Sequence, residues 1–233
     1  MIVYGRNPVR EAIRGQRTVR RVWATSNAMR ESWLSGLRGR DAPAVSVVAA
    51  DEVGHLAESH DHQGVCAEVS EYAYADAAAL LARERPLLVA LDQVQDPQNL
   101  GAICRTAECA GAAGVIVPER RAALVTPAVC KASAGAVEHL PIAIVRNLTD
   151  FLVAAKRASL WCYGADAGAR TAYDTVDFSG GTVIVLGSEG RGLRPRVADA
   201  CDALVSLPLR GQVESLSVSA AAAVLLYAAA RGR

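Results

Sequence analysis

Residues Val183 to Ala230 read VIVLGSEGRGLRPRVADACDALVSLPLRGQVESLSVSAAAAVLLYAAA. The apolar run ending at Leu186 predicts a buried strand. The glycines at positions 187, 190 and 192 predict a turn after it, because glycine adopts positive φ without strain. A second apolar run, Ala203 to Leu209, and an alanine-rich helix, Ser217 to Ala230, follow. Free amide groups at a helix start favour polar or anionic ligand atoms. The stretch therefore predicts a small-molecule site built mainly from backbone.

From Pro86 onward, short apolar runs alternate with helical stretches, which predicts a parallel sheet covered by helices on both faces. The predicted strands are Leu87–Leu91, Gly114–Val117, Pro141–Val145, Ser159–Ala165, Thr182–Leu186 and Ala203–Leu207. The predicted helices are Asn99–Ala110, Pro127–Ser133, Leu148–Ala158, Arg194–Ala200 and Ser217–Ala230. Such sheets bind ligands at the carboxyl ends of their strands, so we expect the site in the loops after Leu91, Leu186 and Leu207.

The residues before Pro86 predict a second, smaller α/β unit. Its predicted strands and helices are Pro8–Gly15 (helix), Arg20–Ala24 (strand), Ala28–Leu37 (helix), Ala44–Ala49 (strand), Asp51–Glu58 (helix) and Gly64–Val69 (strand). Asn7 precedes the first helix as a candidate N-cap. We expect domains at 1–70 and 86–233, joined by a linker at 71–85 that becomes a helix from Ala75 to Arg85.

Charge is distributed unevenly along the chain. The formal net charge is only +1, so no global field indicates a nucleic-acid partner. Residues 1–40 nevertheless hold nine arginines against two glutamates, whereas residues 41–72 hold seven acids and neither lysine nor arginine. The first segment is a candidate basic patch, with an ordinary solvated surface as the alternative.

The composition is typical of a folded cytoplasmic protein, with 52% hydrophobic and 21% charged residues. Six cysteines occur without a CxxC pair, which favours buried thiols in a reducing compartment over disulfides or metal ligands. The N-terminus lacks an apolar signal core, and the segment Ala220–Ala230 is too short to span a bilayer. We therefore expect neither a metal nor a membrane partner.

The common α/β signatures are missing: the sequence has no GxGxxG after a first strand, no GxxxxGK[ST] and no GxSxG. Three other blocks stand out: NLGAICRTA from Asn99, VLGSEGRGL from Val185, and SLPLRG followed by ESLSVSAAA from Ser206. In this order they closely resemble the three motifs of the SpoU/TrmH family of RNA ribose 2′-O-methyltransferases. YGRNPV from Tyr4 and HQGV from His62 resemble the substrate-binding extension of its RlmB-like branch, which methylates a guanosine of 23S rRNA.

This resemblance implies a SPOUT fold, in which the C-terminal segment of a parallel α/β domain is threaded into a deep trefoil knot. An L30e-like α/β substrate-binding domain would precede it. From physical considerations alone a knot would be rejected, since knotted chains are very rare. The family also implies S-adenosylmethionine as the cofactor, RNA as the substrate and a homodimer.

The family's motifs, carried onto this chain residue by residue, imply a set of cofactor-binding positions. Backbone groups and apolar side chains there would hold the adenine and the methionine moiety. The implied positions are Gly187, Leu207 and Leu216, with Leu186, Gly190, Leu209 and Ser217 beside them. The family usually has asparagine where this chain has Ser217. Serine still caps a helix but lacks the amide donor, so cofactor affinity or catalytic geometry would differ.

By the same resemblance Arg105 is the catalytic group, assisted by Asn99 and Glu189. Arginine keeps its proton in proteins, so Arg105 either lies in an unusual environment or orients the hydroxyl and an adjacent phosphate. Asn99 either caps its helix or holds Arg105 and the ribose. Glu189 either pairs with an arginine or bonds the start of the last helix at Ser215.

The basic N-terminal segment is expected to contact RNA phosphates. The residues assigned to this role are Arg6, Arg10, Arg17, Arg20 and Arg21. Three alternatives to 23S rRNA guanosine methylation stay open: a tRNA ribose methyltransferase, an adenosine-specific rRNA methylase of the antibiotic-resistance type, and a non-catalytic RNA-binding or ribosome-assembly protein with the same fold.

Overall fold

The computed structural model describes residues 1–37, 42–213 and 215–231; Arg38, Arg40, Asp41 and Glu214, considered above, lie outside them. The N-terminal elements are β1 (Ile2–Tyr4), α1 (Arg6–Arg14), β2 (Val19–Ala24), α2 (Ser32–Ser35), β3 (Ala44–Val47), α3 (Ala50–Ala57) and β4 (Val65–Val69). Within the described residues these strands form one sheet in the order β1-β4-β2-β3. The strand β4 is antiparallel to both its neighbours, and β3 is parallel to β2.

The second sheet begins with β5. Its strands are β5 (Leu87–Asp92), β6 (Gly114–Pro118), β7 (Ile142–Val145), β8 (Trp161–Ala165), β9 (Thr171–Ala172), β10 (Thr182–Gly187) and β11 (Ala203–Ser206). The helices are α4 (Ala77–Leu81), α5 (Pro97–Cys109), α6 (Pro127–Ala132), α7 (Leu148–Arg157), α8 (Pro195–Ala200) and α9 (Val218–Arg231). In the described chain the strand order is β7-β6-β5-β10-β8-β11-β9, and the pairs are parallel.

Successive residues of the central strands face opposite sides of this sheet, as the pleat requires. On β5, Leu87, Val89 and Leu91 join the core formed with α5 and α9. Leu88 and Ala90 join the core formed with α7 and α8 on the other face. Burial on both faces explains why these strands appear in the sequence as nearly continuous apolar runs.

A buried ion pair joins the two parts of the chain. The Arg17 Nη1 lies 2.9 Å from the Glu138 Oε1, and the two side chains are only 7% and 1% exposed. Arg17 also donates to the carbonyl of Ser70 at 2.8 Å. Burial raises the pKa of Glu138, and the adjacent Arg17 charge and hydrogen bond oppose that rise. On folding, the two charged groups therefore lose their water and gain a fixed contact, which joins the N-terminal unit to the part of the chain that contains the second sheet.

Glu11 makes a second contact between the two units. Its Oε2 lies 3.0 Å from the Nε2 of His139, which follows the 3-10 turn Ala136–Glu138. Burial raises the pKa of Glu11, but hydrogen bonds from Arg10 and His139 and the charges of Arg10 and Arg14 outweigh it, so the pKa is lowered from 4.5. The ionised carboxylate is thus the form that holds the two units together.

The predicted elements are found with shifted ends, and several details of the prediction are wrong. The helix α1 begins at Arg6 after Gly5, so Asn7 is not its N-cap. The predicted helix Ala28–Leu37 is a 3-10 turn, Ala28–Arg30, followed by the short α2. The helix expected over Ala75–Arg85 spans only α4. Its predicted first residue, Ala75, instead forms a parallel β-bridge with Ala143 of β7. The strands β1 and β9 were not predicted. The trefoil knot stays a prediction.

Among the helices of the described residues, none combines the length and apolar character that crossing a bilayer requires.

Candidate functional site

The site lies where β5 and β10 end side by side. Asp92, the last residue of β5, is paired in register with Gly187, the last residue of β10. The Asp92 side chain is fully buried and accepts hydrogen bonds from the Arg194 backbone N–H at 2.8 Å and from its Nε at 2.7 Å. Asp92 therefore holds both ends of the glycine turn that joins β10 to α8. Strand pairing holds the end at Gly187, and the two hydrogen bonds hold the end at Arg194. Sequence analysis missed Asp92, although an acid ending an apolar strand at the ligand-binding edge is a usable signal.

The turn closes on itself through the backbone. Ser188 and Gly192 exchange hydrogen bonds of 3.1 and 2.9 Å, and Gly190 and Gly192 adopt left-handed φ values of 75° and 63°. Gly187 is needed for a different reason. A Cβ atom there would lie within 2.4 Å of backbone atoms of Gly192 and Leu193, whereas real Cβ atoms essentially never approach another atom closer than 3.0 Å. The missing side chain at Gly187 therefore lets the turn fold against β10.

A cavity of about 500 Å³ opens between this turn, the end of β11 and the start of α9. All seven residues that the sequence assigns to cofactor binding line it: Leu186, Gly187, Gly190, Leu207, Leu209, Leu216 and Ser217. Leu209 and Leu216 are 39% and 47% exposed, which is unusual for leucine and leaves apolar surface at the cavity mouth. Ser217 caps α9, because its Oγ accepts from the Ala220 N–H at 3.2 Å.

A second cavity of about 440 Å³ adjoins the first, and Ser188, Glu189 and Arg191 line both. Asn99 lies in the second cavity and donates from Nδ2 to Glu189 Oε1 at 2.6 Å and to Asp96 Oδ2 at 3.0 Å. The structure thus brings together two of the three predicted catalytic residues. Asn99 is not the cap of α5, because Asp96 accepts from the Gln98 N–H at 3.0 Å and fills that role. Among the described residues the hydrogen-bond partner of the Glu189 carboxylate is Asn99, and neither an arginine nor Ser215 bonds to it.

Arg105 lies apart from these residues. It is exposed on α5 and lines neither cavity. It follows Asn99 by six residues, which is about 9 Å along a helix axis and about a third of a turn away in direction. The structure therefore does not place Arg105 beside the Asn99–Glu189 pair within one chain.

The five predicted RNA-contacting arginines do not form one open patch. The side chain of Arg17 is buried against Glu138, so its predicted phosphate contact is wrong for this structure. Arg6 and Arg10 are partly exposed and paired with Glu31 and Glu11 at 2.6 and 2.8 Å. The other two are exposed on β2: Arg20 pairs with Glu68 at 3.2 Å, and Arg21 lies over the Trp23 ring at 5.8 Å.

Metal ligation has no support within residues 1–37, 42–213 and 215–231, where no three His, Cys, Asp or Glu side chains gather as a metal-binding group. Four of the six cysteines are buried: Cys66, Cys104, Cys130 and Cys162. Burial raises the pKa of the Cys104 thiol to about 12, which disfavours the thiolate that metal binding requires.

The fold and the cavities define an α/β protein with two sheets, whose cavities at the carboxyl edge of the parallel sheet are suited to a small ligand. Residues 86–227 match the model of the SpoU rRNA Methylase family, and residues 2–75 match that of RNA 2′-O ribose methyltransferase substrate binding. The chain belongs to the SpoU rRNA Methylase family.

Similar proteins cover nearly the whole chain. It is 37% identical to the TrmH family tRNA/rRNA methyltransferase YacO of Bacillus subtilis, over 99% of this chain and 95% of that one. The crystal structure of the SpoU methyltransferase AviRb from Streptomyces viridochromogenes, in complex with the cofactor AdoMet, has a TM-score of 0.83 at 28% identity and covers 99% and 89% of the two chains. An AdoMet-bound rRNA methyltransferase from Sinorhizobium meliloti has a TM-score of 0.80 at 26% identity, covering 99% and 86%.

Proposed function

We propose that this protein transfers a methyl group from S-adenosylmethionine to the 2′-hydroxyl of a ribose in RNA, at a guanosine of 23S rRNA. The observation that carries the proposal is the first cavity. Seven residues assigned from two separate motifs line a single space, and the Asn99–Glu189 pair, which brings in the remaining motif, stands at its edge. Two relatives of similar fold were crystallised with AdoMet.

The residues of the first cavity fit this cofactor. A volume of about 500 Å³ lies within the range of small-molecule pockets. Leu186, Leu207, Leu209 and Leu216 supply apolar surface for an adenine ring, and the main chain of the turn supplies donors and acceptors. The carboxylates of Asp166 and Glu189 on the wall suit a ligand that carries positive charge. When bound, S-adenosylmethionine supplies an electrophilic methyl group on its sulfonium.

The second cavity is the place for the accepting ribose. Methyl transfer needs the hydroxyl oxygen held in line with the methyl group, and it needs its proton accepted as the oxygen attacks. Glu189 faces both cavities, so its carboxylate is placed to accept a hydrogen bond from a hydroxyl in the second one. The Asn99 amide holds that carboxylate in position. Arg105 would act from outside this pair, by orienting the RNA backbone.

The N-terminal unit would bind the substrate RNA. We keep the division into domains 1–70 and 86–233, with 71–85 between them. Of the predicted arginines, Arg20 and Arg21 are exposed and are the stronger candidates for phosphate contacts. The proposed homodimer would use α9, on which Val224 and Tyr227 are 40% and 50% exposed. These two residues are three positions apart and so lie on one helix face.

The test is transfer of labelled methyl from S-adenosylmethionine to 23S rRNA, 16S rRNA and tRNA in parallel. We expect label on a 23S guanosine 2′-oxygen with the wild type and its loss with Arg105→Ala. Arg157→Ala removes an exposed arginine at the far end of α7 and is the matched control, which should transfer normally. Label confined to tRNA, or to an adenosine, would refute the substrate assignment. Transfer gained only in Ser217→Asn would show that the chain had lost the chemistry.

A further inference from the structure

A third concave surface, of about 1160 Å³, lies beside the two cavities at the same edge of the sheet. Residues that follow the carboxyl ends of β5, β6 and β7, and residues at the start of α7 and α8, line it. The lining includes Gln93, Arg120, Arg121, Arg146, Asn147, Thr149, Asp150, Arg194 and Arg196. We call it the arginine groove, after the exposed residues Arg120, Arg121, Arg146 and Arg196.

The groove concentrates positive charge, although the protein as a whole is almost neutral. The formal net charge of the protein is +1. Within the described part of the chain, none of the four arginines of the groove forms an ion pair, and Asp150 is the one acid among the lining residues. The fifth arginine, Arg194, is paired with Asp92. Unpaired like charges repel one another, so four of them along a concave surface indicate an anionic ligand that compensates the repulsion.

The groove is continuous with the candidate site. Gln93 lines both the arginine groove and the cavity that contains Asn99 and Glu189. Arg194, bonded to Asp92, forms the wall between the groove and the glycine turn. A polymer that places one ribose in the second cavity would therefore run its neighbouring nucleotides along the groove.

We propose that the arginine groove binds the phosphate backbone of unpaired RNA nucleotides next to the nucleotide that receives the methyl group. The proposal rests on the proposed function for the position of that nucleotide. A guanidinium pairs with phosphate oxygens through two parallel hydrogen bonds, which suits a run of phosphodiesters. Four arginines spread over two loops and one helix start exceed what a single phosphate needs. Sequence-specific recognition of RNA mostly uses single-stranded loops and bulges, so unpaired RNA is the form that we propose for the groove.

The experiment uses the full chain, with the double variant Arg120→Gln and Arg196→Gln. The control, Arg83→Gln with Arg157→Gln, removes two charges from the opposite edge of the sheet, since Arg83 bonds the carbonyl before β6 and Arg157 ends α7. Binding of a 20-nucleotide oligouridylate is measured by fluorescence anisotropy across salt concentrations. Each phosphate contact to single strands contributes about 0.7 to the slope of log K against log salt, so two lost contacts should reduce it by about 1.4.

We expect the groove variant to show this reduction in slope and to bind oligouridylate more weakly than the wild type. Its affinity for S-adenosylmethionine, measured by calorimetry, should be unchanged. The control variant should match the wild type in all three quantities. Equal slopes for groove variant and control would overturn the proposal. So would loss of binding to a duplex RNA of the same length with oligouridylate binding intact, because the groove would then hold paired RNA. If the wild type transfers no methyl but the groove variant still loses oligouridylate binding, the groove stands and the proposed function fails.

Discussion

Replacing Gly187 by alanine tests how the cofactor cavity is built. The added Cβ would collide with the backbone of Gly192 and Leu193, which no side-chain rotation relieves. Overpacking of this kind costs about 1–3 kcal/mol. The turn relieves the strain by moving away from β10, and Gly192 and Leu193, which line the cavity, move with it. If the cofactor needs the turn in place, the same energy appears as a loss of roughly five- to 150-fold in affinity.

The assay is S-adenosylmethionine binding by calorimetry, together with urea unfolding, on three variants. Gly111→Ala is the control for backbone cost, since Gly111 has φ 74° with nothing within 4 Å of the added Cβ. It should lose about 1–2 kcal/mol of stability and keep its cofactor affinity. Gly180→Ala, also with open space at its Cβ, should change neither quantity. Gly187→Ala should lose both.

The reasoning would be refuted by a Gly187→Ala protein that binds S-adenosylmethionine as tightly as the wild type. It would also fail if Gly111→Ala lost cofactor affinity in proportion to its stability, because the effect at Gly187 would then be a general consequence of destabilisation.

Three further predictions follow from the site and the contact between the domains. Glu189→Gln should bind S-adenosylmethionine normally but slow methyl transfer by about 10²-fold or more, as single-turnover rates would show. Arg17→Met or Glu138→Leu alone should cost about 3–5 kcal/mol in urea unfolding, because each leaves a buried charge unpaired, whereas the double variant should recover most of the loss. The lowered pKa of Glu11 means that its stabilisation is present above about pH 4.5 and is lost as the pH falls through the folded-state pKa. Melting temperatures should therefore fall more steeply with acid in the wild type than in Glu11→Gln.

The second sheet could be predicted because its strands are buried on both faces. Each long apolar run, such as the one ending at Leu186, is followed by turn residues, so its position was found to within one or two residues. The strands that were missed are short: β1 has three residues and β9 has two. Such elements form because neighbouring strands pair with them, as β4 does with β1, and that pairing leaves no periodic signal in the sequence.

The two wrongly predicted helix caps have different causes. Pro97 stands at the first turn of α5 directly after Asp96, an arrangement that marks a helix start, so the cap could have been assigned to Asp96 over Asn99. At α1 the same arrangement misleads, because Pro8 directly follows Asn7 and yet the helix begins at Arg6. Gly5 precedes it at φ 95°, and no side chain caps the helix. There the bounds follow from the contact of Gly5 with β4, whose Val65 carbonyl accepts the Gly5 N–H at 3.0 Å.

Partners far apart in the sequence account for the site residues that were missed or misassigned. Asp92 and Arg194 are 102 positions apart, and Arg17 and Glu138 are 121 apart. An arginine in a basic segment predicts phosphate binding equally well whether or not the fold later buries it. The sequence therefore indicates which side chains carry charge, and only the packing of α1 on the turn Ala136–Glu138 decides that Arg17 is withdrawn from solvent.

The first cavity is formed largely by main chain and leucine, which bears on the serine at position 217. Its Oγ accepts from the Ala220 N–H and lies 3.2 Å from the Ser219 Oγ, so the serine hydroxyl is engaged within the first turn of α9. An asparagine would cap through its carbonyl oxygen and keep an amide free for the cavity. The cavity's shape is thus preserved with serine, because the cap is preserved, while one donor toward the ligand is lost. The protein's departure from the family motif should then appear in cofactor affinity and leave the fold of the turn and of α9 unchanged.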